Sequence, residues 1–457
     1  MRIIYFFFLS TLLWSFWKAI VRLSRRDAAL TPILGWMVGL AFFILAPLTV
    51  MVFNGGYEIP PFYQVSYSYA KVNLSNAQFF IPFLVIWMSL TFSFMAVMLF
   101  APDPVSMRAR REMIFNEPKL RRVIFITAGL SLLDYATTIR MLGGVQSFLI
   151  AHWYNRQEEL VARLGDVWVL YLWLSQANQV VFTTAAVVYT HSEVRRQRVD
   201  WRFSILILSL LFLHVAMMGD RIFLALYLLS FVTSCWIYRR KKLIAVLAFI
   251  VAPALALASS AWAYFRNDLF NIGENVSTYV EGDVGNRAVT SLMDAFDANG
   301  IMLLFHIVND FGYKYVYMYG ASYLRALFFL VPRHLYPEKP AGFAERLAAI
   351  YEPGQITSMG GTQLGELYAN FGILSVLLLP FITVLIFLLS EKLRQKFEKH
   401  GLLLAVLFLL SIWFARSTFA DNFITFLFAL FLIWGLRLER GLCFPKQLSE
   451  TSLLVSS

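Results

Sequence analysis

Arg221 closes the turn Gly219-Asp220-Arg221 between two apolar blocks, and its planar guanidinium could grip a phosphate or diphosphate through paired hydrogen bonds. So short a turn keeps the charge at a membrane surface or inside a bundle, where the alternative is snorkelling to headgroups or pairing with Asp220. Arg416 occupies a second such turn, Ala415-Arg416-Ser417-Thr418-Phe419-Ala420-Asp421, with pairing to Asp421 as its alternative. The densest polar stretch lies between these two turns. It begins with Val331-Pro332-Arg333-His334-Leu335-Tyr336-Pro337-Glu338-Lys339-Pro340, where three prolines forbid regular helix and keep Arg333 and His334 on an extended path. Ser358-Met359-Gly360-Gly361-Thr362 follows, a run in which backbone can come close to a ligand. Glu366 then stands at the head of an apolar block. Its carboxylate is either a general base that orients an acceptor hydroxyl or an anion stabilised at a helix N-terminus. His306 and His334 could accept a proton near neutral pH. Arg266, Arg287, Arg325 and Arg346 are further cations of this region, and most of them read, with Arg333, as structural.

The elements that carry these residues follow from composition. Hydrophobic residues make up 59% of the 457 positions and charged residues 15%, an excess no soluble core absorbs. The apolar residues fall in blocks such as Ile33 to Phe53 and Ile81 to Phe100, long enough to cross about 30 Å of hydrocarbon as helix. Because backbone amides in lipid must pair within their own segment, repeated long blocks predict an all-α transmembrane bundle and exclude a β-barrel. Candidate spans are residues 3–21, 31–53, 80–100, 123–142, 167–190, 203–219, 222–238, 243–263, 367–390, 401–415 and 422–437, within a range of about ten to twelve spans. The N-terminal block has no small-residue cleavage site before Arg22, Arg25 and Arg26, so it reads as a retained span and not a signal peptide.

Charge then sets orientation. Alternate connections carry 21 of the cationic residues (Arg22, Arg25 and Arg26; six between Arg108 and Arg122; four between Arg195 and Arg202; Arg239 to Lys242; four between Lys392 and Lys399), whereas the short connections between them carry five. The basic side is retained in the cytoplasm, so Lys71, Arg156, Arg163, Arg221 and Arg416 face outward. The net charge of +11 is thereby a topology signal and implies no nucleic-acid partner. Residues 1–263 hold spans one to eight, 264–366 form one large outer loop unit, and 367–457 hold the last three spans and a cytoplasmic tail. The loop unit reads as folded and partly interfacial, with helical stretches near Asn286 to Val308 and Tyr315 to Leu330, and with Tyr313, Tyr315, Tyr317, Tyr319 and Tyr323 suited to the headgroup layer.

Several chemistries are disfavoured. Cys235 and Cys443 are the only cysteines, so neither a disulfide framework nor a Cys-based zinc site is available. No H-x-x-x-H, D-x-D or P-loop pattern occurs, and Glu58 is the only carboxylate between Asn54 and Phe80. Transfer from a metal-bridged nucleotide sugar, which wants paired carboxylates, is not indicated. The two halves do not mirror each other, as inverted-repeat transporters often do.

Pro332-Arg333, Tyr336-Pro337-x-Lys339-Pro340, Gly360-Gly361-Thr362 and Gly365-Glu366-x-Tyr368-x-Asn370-Phe371-Gly372 together resemble the Wzy-type oligosaccharide repeat-unit (O-antigen) polymerases. Gly219-x-Arg221 is similar to that family's arginine-bearing short outer loop, although here it reads Gly-Asp-Arg, without the Ser or Arg neighbours often seen. The resemblance implies glycosyl transfer at the periplasmic face of a bacterial inner membrane, in lipopolysaccharide assembly, with both substrates carried on undecaprenyl diphosphate. It implies an inverting, metal-independent glycosyltransferase with no cofactor, catalytic Arg221, Glu366, His306 and Arg333, and diphosphate contacts from Arg221, Arg266, Arg333 and Arg416. Membrane lipids and a chain-length regulator are the implied partners. An O-antigen ligase, which hands the chain to a lipid core, and a polysaccharide flippase or other transporter are the alternatives.

Overall fold

Apolar side chains that repeat without a break for some twenty residues leave the backbone no partner but itself, and helix is what a computed structural model of the chain shows. It describes residues 2–24, 31–58, 71–100, 117–145, 147–148, 167–195, scattered positions between 202 and 235, 293, 299–328, 331, 335–351, 360–396 and 401–436. Five helices among these are long and apolar enough to cross a membrane: α1 (Arg2–Ser24), α2 (Pro32–Asn54), α3 (Phe80–Phe100), α4 (Glu117–Met141) and the region 363–393. A sixth long helix, α5 (Val167–Arg195), packs on α4. The segment expected as an outer loop contributes α6 (Asn299–Asp310), α7 (Ala321–Leu324, continued by a 3-10 turn to Phe328) and α8 (Phe343–Tyr351). The chain then runs through α9 (Gln363–Phe371), a 3-10 turn, α10 (Ser375–Lys396), α11 (Gly401–Phe414) and α12 (Phe419–Ala429), which ends in a π-helical turn. The protein is an all-α helical bundle of membrane type.

The first helices and the last are packed together. Pro32 starts α2, and the next amide, that of Ile33, donates to the Ser390 hydroxyl of α10 at 3.0 Å. Trp36 Nε1 donates to Thr383 Oγ1 of the same helix, also at 3.0 Å. Gly35 and Gly39, four residues apart on one face, lie against α11: a Cβ on Gly39 would come 2.9 Å from that of Ala415, and one on Gly35 3.1 Å from that of Ser411. Small residues at this spacing let two backbones approach where lipid supplies no hydrophobic drive. α3 packs on α1 and α10, and α12 packs on α5 and α11.

A short antiparallel hairpin, β1 (Gly56–Glu58) and β2 (Lys71–Asn73), follows α2, with Glu58 and Lys71 paired across it. The helical stretch expected to end near Val308 runs to Asp310, where Gly312 at φ +87 turns the chain and lies against the Tyr317 ring. In the stretch expected to be helical from Tyr315 to Leu330, helix begins only at Ala321 and is described as far as Phe328, because residues 318 and 319 are spent on main-chain hydrogen bonds to α9. No helix forms at 335–342, as the prolines there require.

Candidate functional site

The run Thr362 to Gly372 is where the elements meet. Thr362 caps α9, its hydroxyl accepting the Gly365 amide at 3.1 Å. Gly365 leaves a gap filled by Ile307 of α6, 3.2 Å from where a Cβ would stand. Asn370 is fully buried: its amide nitrogen donates to Ser322 Oγ at 2.8 Å and its carbonyl oxygen accepts the Gly320 amide at 2.8 Å. The carbonyls of Ala369 and Asn370 accept from Met318 and Tyr319, so this helix pins the turn in which Tyr319 sits at φ +48 and Gly320 at φ +86. Gly372 at φ +58 ends α9 against the Tyr317 hydroxyl.

The other face of α9 grips the turn that carries Arg416. The Gln363 amide donates to the Ala415 carbonyl at 3.1 Å, and its side-chain nitrogen donates to the Ser417 carbonyl at 2.6 Å. Glu366, with no exposed surface, accepts the Phe419 amide on Oε2 at 2.7 Å. The carboxylate therefore sits in the first turn of α9 and at the first amide of α12, between two positive helix ends. Of the two readings open for Glu366, this geometry is that of the helix-terminus anion. Tyr323 stacks on Phe371 and leans on Phe419, its hydroxyl buried without a hydrogen-bond partner among the described residues. Burial first, and then the Glu366 charge, push the phenol well above its ordinary range, so it stays protonated.

Arg416 is half-buried, its guanidinium carbon 4.9 Å from the centre of the Trp413 ring. A Cβ on Gly360 would stand 2.8 Å and 2.9 Å from its two terminal nitrogens. The glycine run expected to admit a ligand thus admits a side chain of this protein: Gly360 makes room for Arg416, and Gly361 for the Phe343 ring. Arg325 pairs with Glu345 at 2.7 Å and ties α7 to α8, a structural role as expected.

His306 lies elsewhere, on α6, half-buried and edge-on to Phe79, with Nε2 3.3 Å from the Lys71 carbonyl. A carbonyl only accepts, so Nε2 carries the proton, and in the neutral ring Nδ1 keeps a lone pair. Burial lowers the pKa below 6.5, against the raising effect of the Lys71 carbonyl and of Asp310. One turn on, buried Asp310 accepts from Tyr351 at 3.2 Å and pairs with Lys314 at 2.8 Å.

The structure brings Glu366 and Arg416 into one junction and sets His306 on a different face of α6. Arg221, Arg266, Arg333 and His334 lie outside the described residues. Gln363 and Trp413 were not singled out from the sequence, and Tyr323 and Asn370 only as a headgroup-layer aromatic and as one member of the Gly-Glu-x-Tyr-x-Asn-Phe-Gly run. One signal was there: Glu366 and Asn370, four apart in a mostly apolar helix, share a face. Among the described residues no three His, Cys, Asp or Glu side chains gather as a metal site. Compared with protein families, with curated proteins and with solved structures, the chain matches none.

Proposed function

We propose that the protein is a polysaccharide polymerase, a glycosyltransferase that joins oligosaccharide repeat units carried on polyprenyl diphosphate at the outer face of a bacterial inner membrane. The observation that supports this reading is the meeting of Gly360, the Gly-Glu-x-Tyr-x-Asn-Phe-Gly helix and the Arg416 turn at one end of apolar helices. A lipid diphosphate brings its charge to that level, with its prenyl chain alongside the helices. Exposed Leu324 and Leu327 on α7, with Tyr313 and Tyr319 beside them in sequence, suit the same layer.

In the reaction the acceptor hydroxyl attacks the anomeric carbon, the bond from that carbon to the diphosphate oxygen breaks, and configuration inverts. The lipid diphosphate leaves with the bonding pair. Arginines fixed beforehand stabilise that developing charge without reorganising, and Arg416, with Arg221, Arg266 and Arg333, supplies them. The hydroxyl proton passes to a general base on the acceptor's side, for which His306, away from the Arg416 junction and with Nδ1 free to accept in its neutral ring, is the candidate.

Cells carrying Arg221→Ala or Arg416→Ala are expected to lose long-chain polysaccharide while the variants still accumulate in the membrane. A normal long-chain ladder from Arg221→Ala sinks the proposal. Cells without the protein are expected to show single repeat units on the surface lipid, whereas loss of every repeat would assign a ligase instead.

A further inference from the structure

Three hydrogen bonds join one helical turn, Gln363 to Glu366, to the segment that presents Arg416: two reach the four-residue connection at Ala415 and Ser417, and one comes from Phe419, the first residue of α12. Two of them use side chains with at most 1% exposure, Gln363 and Glu366. The residue they steady, Arg416, is half-buried, and its guanidinium rests on Trp413 and is flanked by a glycine with no room for a Cβ. In this arrangement the two buried side chains bond main chain, and Gln363 Nε2 also reaches Glu366 Oε2 at 3.4 Å, whereas Arg416 is the partly exposed residue of the three.

We propose that Gln363, Glu366 and Gly360 are positioning residues for Arg416, and that Glu366 acts by holding the Phe419 amide and not by taking a proton from the substrate. The identity of the anion rests on the polymerase reading; the clasp itself does not. A carboxylate that accepts N–H at the start of α12 does what the carbonyl oxygen of glutamine can also do. A general base cannot be replaced in that way.

The test uses the full chain in detergent, titrated with inorganic diphosphate by calorimetry and, separately, assayed for turnover of a lipid-linked repeat unit. Glu366→Gln keeps the acceptor and is expected to leave diphosphate affinity and turnover within about threefold of wild type. Gln363→Ala and Glu366→Ala strip part-buried hydrogen bonds made by buried side chains and are expected to weaken diphosphate binding by about tenfold or more. Gly360→Ala adds one methyl group beside the guanidinium at a position with an ordinary backbone. It is expected to fold as wild type, with unchanged melting, and to lose affinity in the same direction as Gln363→Ala.

A Glu366→Gln protein that binds diphosphate as wild type but turns over at least about a hundredfold more slowly overturns the proposal, because the carboxylate then acts chemically. So does unchanged binding in Gly360→Ala and Gln363→Ala together, or absence of diphosphate binding by the wild type. Wild-type binding that depends on Gln363 and Gly360, without turnover of lipid-linked repeats, supports the clasp and sinks the polymerase reading.

Discussion

His306 shows how one side chain's surroundings become a pH dependence. Its folded pKa is lowered, first by burial, so between that value and 6.5 the unfolded chain binds a proton that the folded chain refuses. Stability is therefore complete above 6.5 and falls as pH drops through that window. Melting at about pH 7.5 and about pH 5.5 should show the difference, and His306→Asn, which keeps a donor for the Lys71 carbonyl, should shrink it. An unchanged pH slope in that variant would remove His306 as the cause. The same residue was legible in the sequence as a titratable group; what was not legible is that Lys71, 235 positions earlier, would fix its tautomer. Glu366 was legible too, with two readings that no local pattern separates, since the amide that its carboxylate accepts belongs to Phe419, 53 positions later.

Among the described elements, α2 and α11 bring backbone close to backbone at Gly35 and Gly39. Gly39→Ala should press a methyl group into the Ile412 carbonyl and the Ala415 side chain and destabilise the protein by about 1–3 kcal/mol. Gly129→Ala, in α4 with nothing within 4 Å, should be neutral or stabilising by up to about 1 kcal/mol. Melting in detergent measures both, and equal effects at the two glycines would refute the packing argument. Helices themselves were the easiest part of the sequence to read, because unbroken apolar blocks leave no other solution for the backbone. Pairing between them was not readable: Gly35-Trp36-Met37-Val38-Gly39 announces that some helix comes close, but not which one. The glycines at 360 and 361 were incompletely readable for a related reason. An absent side chain marks a close approach without naming what approaches, and here Arg416 and Phe343 do.

At the level of the whole molecule, the charge asymmetry of the connections makes a prediction about sides. With Cys235 and Cys443 replaced, a single cysteine at exposed Tyr313 should react with a membrane-impermeant maleimide in intact spheroplasts. One at exposed Lys392 should react only after permeabilisation. Labelling of Lys392→Cys alone in intact spheroplasts would invert the topology and put the Arg416 turn on the cytoplasmic side. The embrace of α2 by α10 and α11 also has a consequence in time. The Ile33 amide finds its acceptor 357 positions later in the chain, at Ser390, and Trp36 finds Thr383 after 347. During synthesis α2 must wait in the bilayer, its glycine face and first amide served by lipid or by insertion machinery, until the last helices leave the ribosome. The junction around Arg416 is assembled by α9, α11 and α12, so a chain cut short before residue 401 keeps Ser390 and Thr383 but lacks both the helix that covers the glycine face of α2 and the cation itself.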